Sequence, residues 1–465
     1  MLKGRALPRI DRAALVSLLC YALAIGLASG SNFLSVPLIL SLVGPADFAR
    51  WALIEPLILA LIPLAGFGIN YGLMHAIAHS DRPRRAMGML LPAYVGASIL
   101  VAAVGGGIAL ASWGMATAAL CAAIILAEGM VALFVTYWRA RERPGFFAAV
   151  EGGRAAAIVV VLAIAWLAVP SLIRSIPAYM AVRAGIGIAA IVLAILIIRP
   201  VGPGNRGETV SAIRFGLPIV CASVLVSLTM TVDRYAVAHF VAMSAVPLYV
   251  AQVKLVQVLG SALAPFFTWF APVAIRRLPE GEAAHPFFAN SVFLFHAVNC
   301  CCTIGMWFLT PLVWNPLFGS LPFDPLLFAI LLLGQMIYAL GNPVSIGTLR
   351  PGKTWQALRA TIITIALTVA GCAALGAVAG AQGVAWGRFI GASAYTLVLA
   401  AGTVRDLRIR FPWGRMLLLS LVPCAAIVGT METVTGWPLW LDLTAAFAGC
   451  VLVLALAFRF RLNPL

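Results

Sequence analysis

Charge is scarce in this chain. Asp, Glu, Lys and Arg make up only 10% of its 465 residues, and the acids are the scarcer half, 15 against 31 bases. A water-soluble domain draws roughly 25% of its residues from these four types, so a soluble surface cannot be built here. Metal and disulfide chemistry lack their usual marks. The nine cysteines include no C-x-x-C pair, which removes the common zinc arrangement. Cys20, Cys121, Cys221, Cys372, Cys424 and Cys450 lie in apolar runs, as do the consecutive Cys300, Cys301 and Cys302. Small apolar packing is their expected role. His75 and His79 stand four apart without the following glutamate of a metalloprotease helix, and a solvated helix end is expected instead. No stretch is read as a nucleotide-binding loop, so ATP is not expected as the direct driver. Polar insertions are short. The longest expected outside the membrane is Thr310–Asp324, too small and too poor in acids and histidines for a catalytic centre.

What the chain does have is apolar length. Hydrophobic residues make up 63% of it, in runs that reach the ~20 residues a membrane helix needs. Lipid satisfies no backbone polar group, so the expected fold is an all-α polytopic membrane protein. The opening "MLKGRALPRIDRAALVSLLCYALAIGLASGSNF" has the basic start and small residues of a secretory signal. Its apolar run continues through Val36, Leu38 and Leu40, which points to a retained first helix. Six spans are expected at Ala13–Leu42, Phe48–Ile77, Met87–Ala111, Met115–Trp138, Phe146–Val169 and Pro177–Ile198. A second six follow at Ile213–Phe240, Val246–Ile275, Phe287–Leu309, Pro325–Thr348, Ala357–Ala377 and Val384–Gly402. Met416–Met431 and Leu439–Phe458 bring the total to about fourteen.

With the amino terminus in the cytoplasm, 25 of the 31 basic residues fall in inner segments, Arg154 among them. Arg50, Arg174, Arg183, Arg234, Lys254 and Arg388 remain. This asymmetry places both termini inside and accounts for the net charge of +16 without invoking nucleic acid.

The spans also repeat. The first and seventh begin about 200 residues apart, and aligning Val43 with Val241 sets Trp51 opposite Tyr249 and Glu55 beside Lys254. An even number of spans separates the copies. The expected layout is therefore two six-helix lobes, residues 1–200 and 201–403, related by a pseudo-twofold axis along the membrane normal around a central cavity. Residues 404–465 form an added C-terminal helix pair.

Ionisable residues inside a membrane cost about 2.5–3.5 kcal/mol at the centre and mark functional positions. Glu55 and Lys254 sit seven or eight residues in from the outer ends of their spans. They are candidates to face the cavity from opposite lobes, pairing in one state and parting in another, or else to form a fixed ion pair. Asp233 and Arg234 are adjacent and point about 100° apart on a helix. Either one faces the cavity, or Arg234 snorkels while Asp233 is solvated. Snorkelling is expected of Arg183 and Arg388. Glu128, at mid-depth, either binds a proton or cation or hydrogen-bonds to a neighbouring Ser or Thr. In the first span Gly26, Gly30 and Pro37 predict bending, and Asn32 with Ser29 and Ser31 gives a polar face. "APFFTWFAP" (Ala264–Pro272) is either a sugar-stacking surface or a lipid-facing aromatic belt.

Two stretches carry a family resemblance. "NFLSVPLILSLVGPADFARWAL" and "TVDRYAVAHFVAMSAVPLYVAQVKL" resemble the openings of the two lobes in Wzx-type polysaccharide and O-antigen flippases. These belong to the multidrug/oligosaccharidyl-lipid/polysaccharide exporter superfamily. The resemblance implies a transporter rather than an enzyme, working by alternating access in a bacterial-type inner membrane. Its cargo would be a polyprenyl-diphosphate-linked glycan, moved from the cytoplasmic to the outer leaflet. Lys254 and Arg234 are the best-placed groups to meet the diphosphate, with Asn32 and Arg388 as further cavity candidates. Glu55, Asp233 and Glu128 are coupling candidates for H+ or Na+. Glycan-assembly enzymes and membrane lipids would be its partners, with no cofactor. The alternative is a cation- or proton-coupled multidrug or metabolite antiporter of the multidrug and toxin extrusion type, against which the cations Lys254 and Arg234 argue.

Overall fold

The computed structural model describes residues 12–78, 82–229, 231–349, 355–433 and 436–462. His79 lies outside them. The described residues contain no strand. Their α-helices are α1 Arg12–Leu61, α2 Ile69–Ala78, α3 Pro83–Trp113, α4 Met115–Ala140, α5 Pro144–Leu167, α6 Ile176–Ile198, α7 Arg206–Thr229, α8 Val232–Phe240, α9 Val246–Arg277, α10 His285–Phe318, α11 Pro325–Val344, α12 Trp355–Leu407, α13 Trp413–Thr430 and α14 Leu439–Leu462.

Among the described residues, twelve stretches are long and apolar enough to cross a membrane. Two of these contain a break, at Gly44 (φ 80°, ψ 166°) in α1 and at Ala379–Gly380 in α12. The breaks are required. An unbroken helix of 50 residues would run ~75 Å, beyond the ~40–45 Å of a whole bilayer. Each break divides its stretch into two spans, which raises twelve to the expected fourteen. Bending expected at Gly26, Gly30 and Pro37 is displaced: α1 keeps helical angles through all three and leaves them at Gly44.

The chain forms two compact units, Met1–Val224 and Leu225–Leu465, with the boundary inside α7. In unit 1, α2, α3 and α4 share a core that includes Leu73, Met87, Tyr94, Phe134 and Trp138. The second expected span, Phe48–Ile77, is not one helix. Pro63 lacks an N–H and cannot continue the α ladder. The chain tightens to a 3-10 turn over Ile62–Gly66, then passes through Phe67 (φ 46°) and Gly68 (φ 88°). The fully buried Ser98 hydroxyl donates to the Ala65 carbonyl at 2.9 Å, giving the interrupted backbone a partner away from water. At Gly68 the chain crosses α7 so closely that a Cβ would come within 2.3 Å of the Gly216 backbone.

In unit 2 the expected seventh span, Ile213–Phe240, is two helices, α7 and α8. Helix α10 runs to Phe318, nine residues past its expected end, so the presumed outer loop Thr310–Asp324 is largely helix. Trp314 packs on Phe318 and Phe323, and the Asp324 side chain caps α11 by accepting from Leu327 N at 3.0 Å. The C-terminal pair packs on α10. Trp307 Nε1 donates to Thr430 Oγ1 of α13 at 2.9 Å, and Gly449 of α14 lies against Ile304. Phe266 and Phe270 stack on each other and reach Phe295 and Phe287 of α10. These two rings therefore build helix contacts rather than a lipid-facing belt.

Candidate functional site

Unit 1 gathers its deep charge around Glu128. This carboxylate is 8% exposed, midway along α4. Arg154 Nη1 of α5 donates to its Oε2 at 2.5 Å, and Arg183 Nε of α6 donates to its Oε1 at 3.1 Å. Arg154 also reaches Glu151, one turn earlier, at 3.4 Å. The Arg183 guanidinium lies 5.8 Å from the Trp51 ring centroid, and Trp51 meets Tyr179 edge-on at 5.0 Å. Glu55, one turn beyond Trp51 and 9% exposed, acts electrostatically on Arg183. Three helices thus converge on one anchored arginine.

These contacts correct three expectations. Glu128 is held by two guanidinium groups rather than by a Ser or Thr hydroxyl. Arg183 does not snorkel: its side chain is 11% exposed and turned to Glu128. Arg154 does not belong to an inner loop. It lies ten residues into α5, ~15 Å along the axis, where a guanidinium needs an acid nearby.

Unit 2 repeats the design with different parts. Asp233, in the first turn of α8, is fully buried. Its Oδ2 accepts from Arg388 Nη1 of α12 and from Tyr249 Oη of α9 at 3.1 Å. Its Oδ1 accepts from the Arg234 backbone N–H at 2.8 Å. Arg388 therefore does not snorkel either, and Asp233 is not solvated. The neighbouring pair does part, as expected: the Asp233 carboxylate bonds to Arg388, not to the Arg234 guanidinium. Arg234 and Lys254 are themselves 3% and 7% exposed. Beside Arg388 lies a cavity of about 20 Å³ lined by Thr229, Gln335, Tyr338, Thr364 and Thr368. That is room for about one water-sized group among polar partners.

Arg234, Lys254 and Arg388 share a depth. Each stands seven or eight residues from a turn, at residue 241, 246 or 380, so each is ~10–12 Å along its helix. Those turns adjoin, since Val241 lies against Gly380 and Phe240 against Gly376. Asp233 is the sole acid within the described spans of α8 to α12 at this level, against three cations. Asn32 is exposed on α1. Glu55 and Lys254 belong to different units, and both are buried.

Sequence reading missed Arg154, Tyr179 and Tyr338. The depth of Arg154 inside its span was the available signal. It also passed over "GTLRPGKT" (Gly347–Thr354), which has the G-x-x-x-x-G-K-[ST] spacing of a phosphate loop. Such a loop follows a strand. Here α11 and a 3-10 turn at Ser345–Leu349 precede it, so the strand-to-loop setting is missing. Residues 350–354 lie outside those described.

No protein-family model and no curated protein sequence matches the chain. Solved structures do match in fold. A structure described as the lipid II flippase MurJ in an inward closed conformation aligns with a TM-score of 0.68 at 11% identity, covering 97% of this chain and 100% of that one. An inward-facing multidrug resistance MATE family transporter of the MOP superfamily gives 0.56 at 13% identity, covering 83% and 95%. An outward-facing structure described in the same terms gives 0.53 at 15%, covering 86% and 97%. The chain has the fold these proteins share.

Proposed function

We propose that the chain is a translocase for a polyprenyl-diphosphate-linked oligosaccharide, moving it from the cytoplasmic to the outer leaflet by alternating access. The observation that carries this reading is the group of three deep cations in unit 2. Arg234, Lys254 and Arg388 lie at one depth, and Asp233 pairs with Arg388. Arg234 and Lys254 lie buried at that same depth. A diphosphate is the ligand chemistry that such charge suits, through charge-assisted hydrogen bonds. The fold match to a lipid II flippase over 97% of the chain supports a lipid-linked cargo. Unit 1, where Glu128 pairs with Arg154 and Arg183 and Glu55 lies in electrostatic reach of Arg183, suits a structural or coupling role for H+ or Na+. The membrane would be a bacterial-type inner membrane with both termini in the cytoplasm.

A second reading is an ion-coupled drug antiporter, favoured by the fold match to the MATE structures and by the carboxylates of unit 1. The two readings separate in liposomes holding the purified chain. A fluorescent polyprenyl-diphosphate sugar should move between leaflets, while a cationic dye placed inside should stay. Dye efflux without lipid movement would select the antiporter.

A further inference from the structure

The inner face of the C-terminal pair carries a slot that the transport reading does not use. It has a volume of about 930 Å³ and runs between α10, the start of α13 and the end of α14. Its walls are mostly apolar, with Phe287, Leu294, Leu454 and Phe458 along them beside the neutral polar Asn290 and Ser291, and its mouth holds Arg410 and Arg415. No acid lines it. Arg415 is fixed there, donating from Nη1 to the Phe460 carbonyl at 2.8 Å, which ties the start of α13 to the end of α14. Arg410 is exposed, in the extended segment that precedes α13. Arg277 adds a third cation at this end, lying 4.2 Å from the Phe287 ring centroid.

We infer that this slot holds one anionic phospholipid from the cytoplasmic leaflet, its phosphate between Arg410 and Arg415 and its acyl chains along the apolar walls. Three features favour that occupant. The charge is purely positive and confined to one end, while the rest is mostly apolar with only the neutral Asn290 and Ser291 as polar side chains, which suits the polarity of a phospholipid. Leu294, Leu454 and Phe458 are about half exposed or more, so the walls are open to bulk bilayer chains. The arginine-rich end is the one the charge asymmetry of the loops assigns to the cytoplasmic leaflet, where anionic lipids draw basic residues. The lipid would bridge α10, α13 and α14 and fix the C-terminal pair on α10. This inference stands apart from the proposed cargo.

The test uses the full chain purified in detergent and native mass spectrometry. Dioleoyl phosphatidylglycerol and dioleoyl phosphatidylcholine are offered at equal concentration. One phosphatidylglycerol should be retained in clear preference to phosphatidylcholine. Arg410→Gln should lower that preference about fivefold, the factor expected for one surface cation against anionic lipid. Arg410→Lys should keep most of it, and Arg405→Gln, outside the slot, should change nothing. Equal retention of the two lipids, or an unaltered preference in Arg410→Gln, would overturn the inference. One-for-one displacement of phosphatidylglycerol by a polyprenyl phosphate would also overturn it, assigning the slot to a prenyl tail.

Discussion

Each unit anchors one arginine on a helix that follows a turn, and the acids around the two differ. Arg183 of unit 1 has Glu128 as a direct partner, Glu55 in electrostatic reach and Trp51 beneath it. Arg388 of unit 2 has Asp233, with Tyr249 donating to the same carboxylate oxygen. Trp51 and Tyr249 are the residues that the internal repeat sets opposite each other. Unit 1 thus balances its two deep arginines with two glutamates. Unit 2 has the Asp233 carboxylate for Arg388, with Arg234 and Lys254 buried at the same depth. The shared scaffold places an aromatic and an arginine, and the acids around them differ.

The largest expected effect follows from removing the single acid. Asp233→Ala strands Arg388 in a dry interior and should cost about 3–5 kcal/mol, as for other broken buried pairs. Thermal unfolding in detergent reads the loss, and Asp233→Ala combined with Arg388→Leu should recover most of it. An unshifted midpoint in the single variant would show that unit 2 does not depend on this pair. Glu128→Ala should cost less, about 2–3 kcal/mol, because Glu55 still offsets Arg183. If it proves more damaging than Asp233→Ala, the contrast between the units is wrong.

Smaller effects concern the backbone break peculiar to unit 1. Gly68→Ala sets a Cβ against Gly216 and strains a left-handed residue, for a loss of about 2 kcal/mol. Gly26→Ala, in open space, should be neutral in the same assay. Ser98→Ala deprives the Ala65 carbonyl of its donor and should cost about 1 kcal/mol. Wild-type stability in both Gly68→Ala and Ser98→Ala would mean the break is held by other contacts.

Much of this architecture was legible in sequence because apolar length and loop charge are local signals. The break at Gly44 and the turn near Gly380 follow from spans too long to be single. The break at Pro63 was equally local and was overridden by the apolar run around it. Long-range pairing was not legible. Glu128 meets partners 26 and 55 residues away, and Asp233 meets Arg388 at 155. Which helices are neighbours decides such pairs, and hydropathy does not encode it. Depth alone marked Glu128 and Asp233 as needing partners, and the same reasoning applied to Arg154 would have removed it from the inner-loop tally.

The proposed role of unit 2 is tested most directly by leaflet-to-leaflet transfer of a fluorescent polyprenyl-diphosphate sugar in liposomes holding Lys254→Ala or Lys254→Arg at matched protein amounts. Transfer should fall about tenfold or more with alanine, the factor that 1.4 kcal/mol represents, and largely persist with arginine. Wild-type transfer by the alanine variant would contradict the account.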